Sequence, residues 1–471
     1  MTPFDLTPEQ RAVYRRYAEL ALPRHTSYPT APVWSDRFGA DEYRDALHRS
    51  ADAGRPLSLY VHVPFCERLC YYCACTKEIV PAARRRANDP SAAYLRALAG
   101  EADRVAEAVG PGEVRQVHLG GGTPTFLAPD QLGRLWAILA DRFHVAPEAE
   151  MAVEIDPRAT TAKHLATLRA LGFNRVSLGV QDFDPRVQTA INRVQPVELV
   201  AEAVGRCREL GFESVNFDLI YGLPYQTPES MAATLEKVLD LGPDRVAFYR
   251  LAMIPEMFRW QNTFRRADLP AGEAALELNL LAVNRFLAAG YEFVGLDHFA
   301  RPTEALAAAV RDGSVRRTFQ GMTTGRQLDV IGLGPSAISL LDDAFAQNVK
   351  ESGPWRSALG RDLATHRGLR LSPDDRVRRE LLQELYGRGE IDTAAFEAAH
   401  GIAFADYFAD ELRRLAELEA DGLVEVDGSA VRLTPVLGRL LVRVVAAVFD
   451  AYLPADSYRE GLPAQLASKV G

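Results

Sequence analysis

Lysine is scarce in this chain, since it accounts for only five of the 54 Lys and Arg residues. Asp and Glu number 63, and the resulting net charge of -9 argues against nucleic-acid binding as the main activity. No apolar run is long enough to cross a bilayer, and the polar residues 1–9 do not resemble an export signal. We therefore expect a cytoplasmic protein that engages neither membranes nor nucleic acids, in which arginine is the residue suited to grip carboxylates.

Cysteine is also rare, yet four of the five cysteines fall between residues 66 and 75. A disulfide framework is not expected, because cytosolic thiols stay reduced. Structural zinc sites usually consist of two separated C-x2-C pairs, and the chain has no second pair, so zinc is the weaker alternative. The fifth cysteine, Cys207, lies in a helical stretch and is most simply a small buried hydrophobic residue.

The four clustered cysteines follow a predicted strand. They are Cys66, Cys70, Cys73 and Cys75. The run Leu57–Val63 is apolar and β-branched, and Pro64 ends it. The spacing C-x3-C-x2-C is the signature of radical S-adenosylmethionine (SAM) proteins. Thiolates hold iron-sulfur clusters, and a cubane held by only three of them leaves one iron open for a substrate to chelate, so we expect a [4Fe-4S] cluster on the first three cysteines.

Five motifs carry a resemblance to a known family. In chain order they are R-x-T-S-Y-P-T at 24–30, H-x-P-F-C-x3-C-x2-C-x-C at 62–75, G-G-G-T-P-T at 120–125, D-H-F-A at 297–300 and Q-G-x-T-T at 320–324. Together they resemble the oxygen-independent coproporphyrinogen III oxidase (dehydrogenase) family of the radical SAM superfamily, over nearly the whole chain. Two departures fall near the expected substrate region: Met322 stands where relatives have Tyr, and Phe248-Tyr249-Arg250 replaces a Phe-Asn-Tyr-like segment.

Strand and helix patterns alternate from residue 57 to about residue 300, which predicts a parallel sheet. The predicted strands are Leu57–Val63, Gln116–Leu119, Met151–Ile155, Arg175–Val180, Ser214–Ile220, Arg245–Leu251 and Glu292–Leu296. The predicted helices are Ser91–Val109, Pro129–Phe143, Ala162–Leu171, Pro196–Leu210, Pro228–Leu241 and Ala271–Ala289. A cysteine loop after the first strand favours a barrel over an open doubly wound sheet, although spacing alone does not separate six strands from eight. The resemblance implies an α/β fold, a partial (β/α)6 TIM-like radical SAM barrel.

The chain is expected to form three parts: an N-terminal helical arm at 1–50, the barrel and its extension at 51–365, and a C-terminal helical domain at 366–471. The arm carries a predicted helix, Pro8–Leu20. The helices predicted in the C-terminal part are Pro373–Tyr386, Asp392–His400 and Asp406–Asp421, followed by a hairpin within Leu423–Leu433. This order suggests a small winged-helix-like domain, and we expect the tail after Leu453 to be weakly ordered. We expect the arm and the C-terminal domain to cover the active site and exclude water and oxygen.

Polar residues recur at the ends of successive predicted strands, where Glu154, Gln181 and Asp218 stand, and Arg193 lies on a helical segment after the fourth strand. The carboxyl ends of parallel strands form one rim, so this recurrence predicts a ligand site there. The resemblance implies that SAM is bound by Tyr60, Tyr72, Gly121, Gly122, Thr123, Glu154, Gln181, Arg193, Asp218, Ala252 and Ile338. It also implies a second SAM, contacted by Gln181, Arg193, Asp218 and Ala252. The candidate catalytic residues are Cys75, which is not a cluster ligand in the family, Glu154, His298 and Gln320.

The resemblance implies a radical oxidative decarboxylation. A 5′-deoxyadenosyl radical takes hydrogen from the β-carbon of a propionate of coproporphyrinogen III, and loss of carbon dioxide and one electron leaves a vinyl group. Two such conversions give protoporphyrinogen IX in haem biosynthesis. The resemblance also implies that reduced flavodoxin or a ferredoxin-type protein is the electron donor and that the enzyme is a monomer. Arg24 and Arg250 are candidates to pair with substrate carboxylates. The alternatives are a radical SAM methyltransferase acting on a tetrapyrrole and a haem chaperone of the same superfamily, which usually lacks the fourth cysteine and the arm.

Overall fold

The computed structural model describes residues 4–325, 328–463 and 467–470 of the chain. Its largest sheet has 12 strands, and its centre is a run of six parallel strands in sequential order. These strands are β1 Leu57–Val63, β2 Glu113–Gly121, β3 His144–Ile155, β4 Arg175–Gln181, β5 Ser214–Tyr221 and β6 Arg245–Arg250. The helices that accompany them are Ser91–Val109, Pro129–Ala140, Ala162–Ala170, Pro185–Ala190, Val197–Glu209, Pro228–Leu241 and Glu273–Ala288. The predicted α/β partial barrel with six parallel strands is confirmed.

Strand β1 occupies the middle of the sheet, and its composition explains the position. All seven of its residues are buried, as expected for a strand covered on both faces, and β2 and a later strand pair with it on either side. The helices Ala162–Ala170 and Pro228–Leu241 begin at side-chain caps, since Thr161 and Thr227 each accept a hydrogen bond from a backbone N–H three residues later. Buried strands and capped amphipathic helices therefore follow directly from the local sequence.

The sheet extends beyond the barrel on both sides. On one side β7, Asp329–Leu333, runs parallel to β1, and antiparallel strands Ile338–Leu340, Ala344–Asn348 and Thr365–Arg370 follow. On the other side Glu292–Gly295 forms a hairpin with His298–Ala300, and the latter strand pairs antiparallel with β6. The predicted seventh strand therefore runs in the same direction as β6, but the antiparallel strand His298–Ala300 lies between the two. A link of only Leu296 and Asp297 allows a hairpin, whereas a parallel partner needs a crossover of a dozen or more residues.

The C-terminal part combines helices with a three-stranded sheet, the arrangement of a winged helix. The sheet strands are Glu390–Asp392, Ala430–Leu433 and Val424–Asp427 in spatial order. The helices are Pro373–Gly387, Thr393–His400, Phe404–Tyr407 and Ala409–Ala420, followed by Leu437–Leu440, Val442–Val448 and Ser457–Glu460. The single helix predicted over Asp406–Asp421 is wrong at its start. It breaks at Phe408, whose backbone leaves helical geometry while its ring is fully buried against other aromatic rings.

The N-terminal arm packs against the end of the chain. Strand Ala21–Leu22 pairs antiparallel with Ser468–Lys469, so the expectation of a weakly ordered tail is wrong for these residues. Arg443 stabilises the pairing by donating to the carbonyls of Leu22 and Ser468. The link was not predictable from local sequence, because its two strands have two residues each and lie more than 400 residues apart in the chain.

The remaining elements are short. The helices are Pro8–Ala18, Ala40–Asp52, Ala82–Ala87, Ala305–Arg311 and Ser352–Leu359, and 3-10 turns lie at Ala31–Val33, Pro124–Phe126, Arg259–Thr263 and Arg266–Asp268. The remaining strands form two pairs, Phe65–Cys66 with Glu78–Ile79 and Arg316–Thr318 with Gly321–Thr323. Among the helices that are described, none combines the length and apolar character required to span a membrane.

A buried glutamate fixes the loop after β7. Glu101 accepts hydrogen bonds from the Gly334 backbone N–H at 2.7 Å, from Asn348 at 2.7 Å and from Trp355 at 3.2 Å. Burial raises the pKa of Glu101 to about 7, although these three donors oppose the shift. The folded chain therefore holds this proton at pH values where the unfolded chain has lost it.

This pKa predicts a pH-dependent effect of the Glu101→Gln substitution. Between the ordinary pKa of 4.5 and the folded value of about 7, the folded state binds more protons, so the wild-type contribution to stability falls as pH rises. Between pH 5 and pH 8, the free energy of unfolding of Glu101→Gln should therefore rise by about 2 to 3 kcal/mol relative to that of wild type. Urea unfolding at the two pH values measures this gain. The exposed Glu107→Gln on the same helix is the control, and an equal shift in both variants would contradict the assignment.

Candidate active site

The carboxyl ends of the parallel strands surround a cavity of about 170 Å³. The cysteine loop after β1 forms one wall, and the ends of β2 to β5 form the others. The predicted site residues that line it are Cys66, Cys70, Tyr72, Cys73, Cys75, Gly121, Gly122, Thr123, Glu154, Gln181, Arg193 and Asp218. The rim position expected from the β-α alternation is therefore where these side chains meet.

Backbone contacts fix the cysteine loop at both ends and in the middle. Phe65–Cys66 pairs with Glu78–Ile79, which brings the ends of the loop together. Asn192 donates to the Leu69 carbonyl at 2.7 Å, and the Trp260 indole donates to the Cys73 carbonyl at 2.9 Å. The loop is thus held against the segment after β4 and against the turn that follows β6.

The thiols are arranged for a cluster rather than for one ion. In the described ranges, no three His, Cys, Asp or Glu side chains converge on a point that could hold a single metal ion. A cubane requires a wider arrangement, because each thiolate binds a different iron and the sulfurs stand around the cluster. Burial raises the pKa of Cys66 to about 12, and nearby Cys73 and Cys70 add to the effect, so the thiolate of this sulfur needs a bound cation to stabilise it at neutral pH. Three thiols in one cavity therefore fit a [4Fe-4S] cluster with one open iron.

Cys75 stands apart from the other three in its contacts. Its side chain hydrogen-bonds the Cys73 sulfur, and this bond, followed by the charge of Lys77, lowers the pKa of Cys73 to about 6 despite burial. The Lys77 ammonium donates to the Cys73 and Cys75 carbonyls and lies 4.1 Å from the centre of the Trp260 ring. The fourth cysteine thus lines the cavity as a neighbour of a predicted ligand.

Two arginines contact the sulfur of Cys70. Nη2 of Arg158 lies 3.4 Å and Nη1 of Arg193 lies 3.6 Å from this sulfur. Asp156 pairs with both guanidinium groups, at 2.6 Å and 3.1 Å. Although burial opposes ionisation, the charges of Arg193 and Arg158 hold the pKa of Asp156 far below its usual value. The N–H groups directed at Cys70 would stabilise a thiolate there.

Glu154, at the end of β3, is held in its ionised form. Its carboxylate lies 3.0 Å from Nε2 of His118 and accepts the Gly121 backbone N–H at 3.2 Å. Burial opposes ionisation, but the hydrogen bond and charge of His118 keep the pKa of Glu154 below its usual value. SAM carries an ammonium and a sulfonium cation, so a fixed carboxylate in this cavity suits it.

Asp218, at the end of β5, differs from Glu154 because its pKa is raised rather than lowered. Ser177 and Asn216 each donate to it at 2.9 Å. Burial, followed by the charge of Glu154, raises the pKa of Asp218 to about 6. Two carboxyl groups in one cavity therefore differ in their readiness to hold a proton.

Close backbone approach explains the glycines at the end of β2. A Cβ on Gly122 would lie 2.7 Å from the Phe65 carbonyl oxygen and 2.9 Å from the Pro64 carbonyl carbon. Both are backbone atoms of the junction that leads into the cysteine loop. Only glycine permits this approach without displacing the junction.

Gly122→Ala should therefore weaken the site. We expect at least about a tenfold loss of SAM affinity, because the junction can yield only by moving the cysteine loop. Equilibrium dialysis with labelled SAM measures it. Gly133→Ala, in the helix Pro129–Ala140 with no atom within 4 Å of the added carbon, is the matched control and should keep wild-type affinity. Equal affinities in the two variants would contradict the assignment.

Three predicted SAM-binding residues lie beside the cavity rather than in its wall. The Tyr60 ring stacks on His118, the partner of Glu154. The carbonyl of Ala252 accepts from Gln261, which also donates to the Tyr72 carbonyl. The Ile338 backbone packs closely against Gly332, the β7 residue registered with Tyr60. Each of the three reaches the cavity wall only through intervening residues, and their direct role in binding stays a prediction.

His298 and Gln320 occupy the open side of the barrel. Nδ1 of His298 lies 2.7 Å from Asp297, and the Met322 N–H donates to Nε2 at 3.5 Å. Since Nε2 accepts, the proton belongs on Nδ1, where it bonds the carboxylate. Gln320 lies in the turn between Arg316–Thr318 and Gly321–Thr323, next to Phe319, whose ring meets Tyr60 edge-on. Neither side chain lines the cysteine cavity, and their catalytic roles stay predictions.

Several cavity residues were not predicted from the sequence. They are Arg68, Lys77, Asp156, Arg158, Ser177 and Gly179. A signal was present for Ser177, because it lies on β4, the strand that ends at the predicted site residue Gln181. No local pattern identifies Arg158, because its role depends on the sulfur of Cys70, which is 88 residues away in the chain.

Comparison with known families agrees with this geometry. Residues 60–238 match the radical SAM superfamily, and residues 371–441 match the HemN C-terminal domain. The first match contains the cysteine loop and the ends of β2 to β5. The second covers most of the winged-helix-like part.

Similar proteins match over nearly their whole length. The oxygen-independent coproporphyrinogen III oxidase of Escherichia coli is 43% identical, over 92% of this chain and 93% of its own. That of Pseudomonas aeruginosa is 43% identical, over 94% and 95%. The solved structure of coproporphyrinogen III oxidase (HemN) from Escherichia coli, described as a radical SAM enzyme, superposes with a TM-score of 0.86 at 41% identity, covering 92% of this chain and all of that one.

Proposed function

Because the chain belongs to the oxygen-independent coproporphyrinogen III oxidase family of radical SAM enzymes, we propose that it converts two propionates of coproporphyrinogen III to vinyl groups. The product is protoporphyrinogen IX, and the reaction belongs to haem biosynthesis. One observation carries the proposal: three thiols at the C-x3-C-x2-C spacing and the polar strand ends of the barrel line a single cavity.

The cofactors are a [4Fe-4S] cluster and SAM, as in the rest of the superfamily. Cys66, Cys70 and Cys73 would hold the cluster and leave one iron free for SAM. When bound, the pair supplies one-electron cleavage of SAM to methionine and a 5′-deoxyadenosyl radical. Arg158 and Arg193 orient Cys70 and contribute positive charge beside its sulfur.

The remaining cavity residues bind and orient SAM in this proposal. Glu154 accepts a hydrogen bond from a SAM cation, and the Gly121–Gly122 backbone lets the ligand approach β2 closely. Gln181, Arg193 and Asp218 line the cavity, and the Gln261 amide links the carbonyls of Ala252 and Tyr72, an arrangement that supports a second SAM. Cys75 and His298 are the groups positioned to hold or transfer a proton, and Gln320 lies in the hairpin beside Phe319, whose ring meets Tyr60.

The N-terminal arm and the C-terminal domain contact each other. The arm and the C-terminal domain pack together through Tyr17, which donates to Asp421, and Arg16, which pairs with Glu417. This packing supports a role in excluding water and oxygen. We propose a monomeric cytoplasmic enzyme that receives its electron from reduced flavodoxin or a ferredoxin-type protein.

An anaerobic assay tests the function. The chain is reconstituted with iron and sulfide, supplied with SAM, a reductant and coproporphyrinogen III, and its products are separated by chromatography and mass. Protoporphyrinogen IX formed together with 5′-deoxyadenosine is the expected result. Methylated or ring-opened tetrapyrrole would instead indicate a methyltransferase, and haem binding without turnover would indicate a chaperone.

A further inference from the structure

Four guanidinium groups converge where the arm, β6, the 316–323 hairpin and the C-terminal domain meet. They belong to Arg24, Arg250, Arg317 and Arg443. Arg24, Arg250 and Arg443 line a small cavity of about 40 Å³ together with Asp297. Arg317 lies on the other side of Asp297 and is only 4% exposed.

Positive charge exceeds negative charge in this cluster. Among the described residues, the carboxylates within 4.0 Å of its guanidinium nitrogens are Asp297 and Glu19. Asp297 is 3.9 Å from Arg24 and 3.8 Å from Arg317, and it already accepts a hydrogen bond from His298. Burial and the charge of Arg24 lower the pKa of Arg443 to about 9. An additional anion would stabilise this excess of buried positive charge.

Two of the four arginines are occupied by structural contacts. The nitrogens of Arg443 donate to the carbonyls of Leu22, Pro23, Ser468 and Lys469, which hold the arm to the tail. Arg250 donates to the Ala18 carbonyl and lies 3.8 Å from Glu19. The earlier suggestion that Arg250 grips substrate is therefore less suited to its contacts than a role in fixing the arm.

The other two arginines keep donors available. Arg24 uses Nε on Ser468 and Nη2 on the Arg250 carbonyl, while its Nη1 lies 3.9 Å from Asp297, beyond hydrogen-bond distance. Arg317 donates Nε to the Arg24 carbonyl at 3.0 Å, and within the described part of the chain its Nη1 contacts the sulfur of Met322 at 3.9 Å and Asp297 at 3.8 Å. As far as the structure describes the chain, Nη1 of each of these two arginines flanks Asp297 without a hydrogen-bonded oxygen partner.

This pair of arginines lies close to the cysteine cavity. Tyr249 bridges the two regions, with its hydroxyl 3.4 Å from Nε2 of His298. Burial raises the pKa of Tyr249 most strongly, and the charges of Asp218, in the cavity wall, and Asp297 act on it as well. Tyr249 therefore lies between Asp218 of the SAM cavity and Asp297, the carboxylate that Arg24 and Arg317 flank.

We propose that Arg24 and Arg317 bind a propionate carboxylate of the tetrapyrrole, and that this propionate is one that the reaction retains. The proposal rests on the proposed function. A propionate that loses carbon dioxide also loses its negative charge, so a guanidinium pair would stabilise its ground state and slow the reaction. A retained propionate suffers no such penalty, and the pair then orients the ring for attack elsewhere.

Binding of two porphyrins distinguishes these roles. Coproporphyrin III carries both kinds of propionate, whereas protoporphyrin IX carries only the retained ones. We expect Arg24→Gln and Arg317→Gln to weaken binding of both porphyrins to the reconstituted protein by a similar factor, about 10- to 100-fold, measured by fluorescence titration. Arg285→Gln, on the outer helix Glu273–Ala288, removes a matched charge and should bind both as wild type does.

Each outcome decides the proposal. Unchanged affinity in both variants, or no binding of either porphyrin by wild type, overturns it, and loss confined to coproporphyrin III overturns the assignment to a retained propionate. Iron content and melting temperature check folding, and Arg24→Gln, at a partly exposed position, keeps the test decidable if Arg317→Gln does not fold. Wild-type turnover of coproporphyrinogen III is measured separately, so failure of the subsite and failure of the proposed function are distinguishable.

Discussion

Cys70→Ala should abolish the [4Fe-4S] cluster and lower formation of 5′-deoxyadenosine by at least about 10³-fold. The expected reason is that two thiolates remain for a cluster that needs three, while Arg158 and Arg193 lose the sulfur they contact. Iron content and the electron paramagnetic resonance signal of the reduced cluster measure the loss directly. The same result is expected for Cys66→Ala and Cys73→Ala.

Two other cysteines provide controls for this prediction. Cys75→Ser should retain the cluster signal, because Cys75 lines the cavity without being a predicted ligand. Cys207→Ala should retain both cluster and activity, because Cys207 is buried in the outer helix Val197–Glu209. Loss of the cluster in Cys75→Ser, with retention in Cys70→Ala, would contradict the assignment of ligands.

The second large effect is expected for Glu154→Gln. The substitution keeps the shape of the side chain but removes the charge that His118 and the Gly121 N–H maintain. A hydrogen bond to a charged group contributes about 1.5 to 3 kcal/mol, so SAM affinity should fall roughly 10- to 100-fold. Equilibrium dialysis on the reconstituted protein measures affinity, and the cluster signal should stay unchanged.

The control lies on the same strand. Glu148→Gln changes an exposed carboxylate of β3, at the end opposite the cavity, and should leave SAM affinity as it is in wild type. Equal losses of affinity in both variants would point to the general charge of the chain rather than to a contact of Glu154.

Local pattern was sufficient for the parts of the fold whose residues are uniform in character. The apolar run Leu57–Val63 and the amphipathic run Ser91–Val109 match the structure in their bounds, because burial and periodicity determine them. The antiparallel strand His298–Ala300 at the edge of the sheet was missed, since Glu292–Gly295 has the same pattern whether its partner is parallel or antiparallel. The pairing of the arm with the tail was missed because it joins distant short segments.

The residues of the candidate site also fall into those that local sequence predicts and those that it does not. The cysteine loop and the residues Glu154, Gln181 and Asp218 were predictable, because each follows a strand and the ends of parallel strands meet at one rim. The arginine pair was only half anticipated: Arg24 was a candidate, whereas Arg317 was not. The position of Arg317 depends on the packing of the 316–323 hairpin against the arm, and this packing cannot be predicted from a local sequence pattern.

Transfer of hydrogen from substrate to cofactor tests the central claim most directly. Coproporphyrinogen III deuterated at the β-carbons of its propionates is converted anaerobically by the reconstituted protein, and the 5′-deoxyadenosine is analysed by mass. We expect one deuterium in each 5′-deoxyadenosine, accompanied by vinyl product. Unlabelled 5′-deoxyadenosine alongside vinyl product, or labelled 5′-deoxyadenosine without it, would contradict the account.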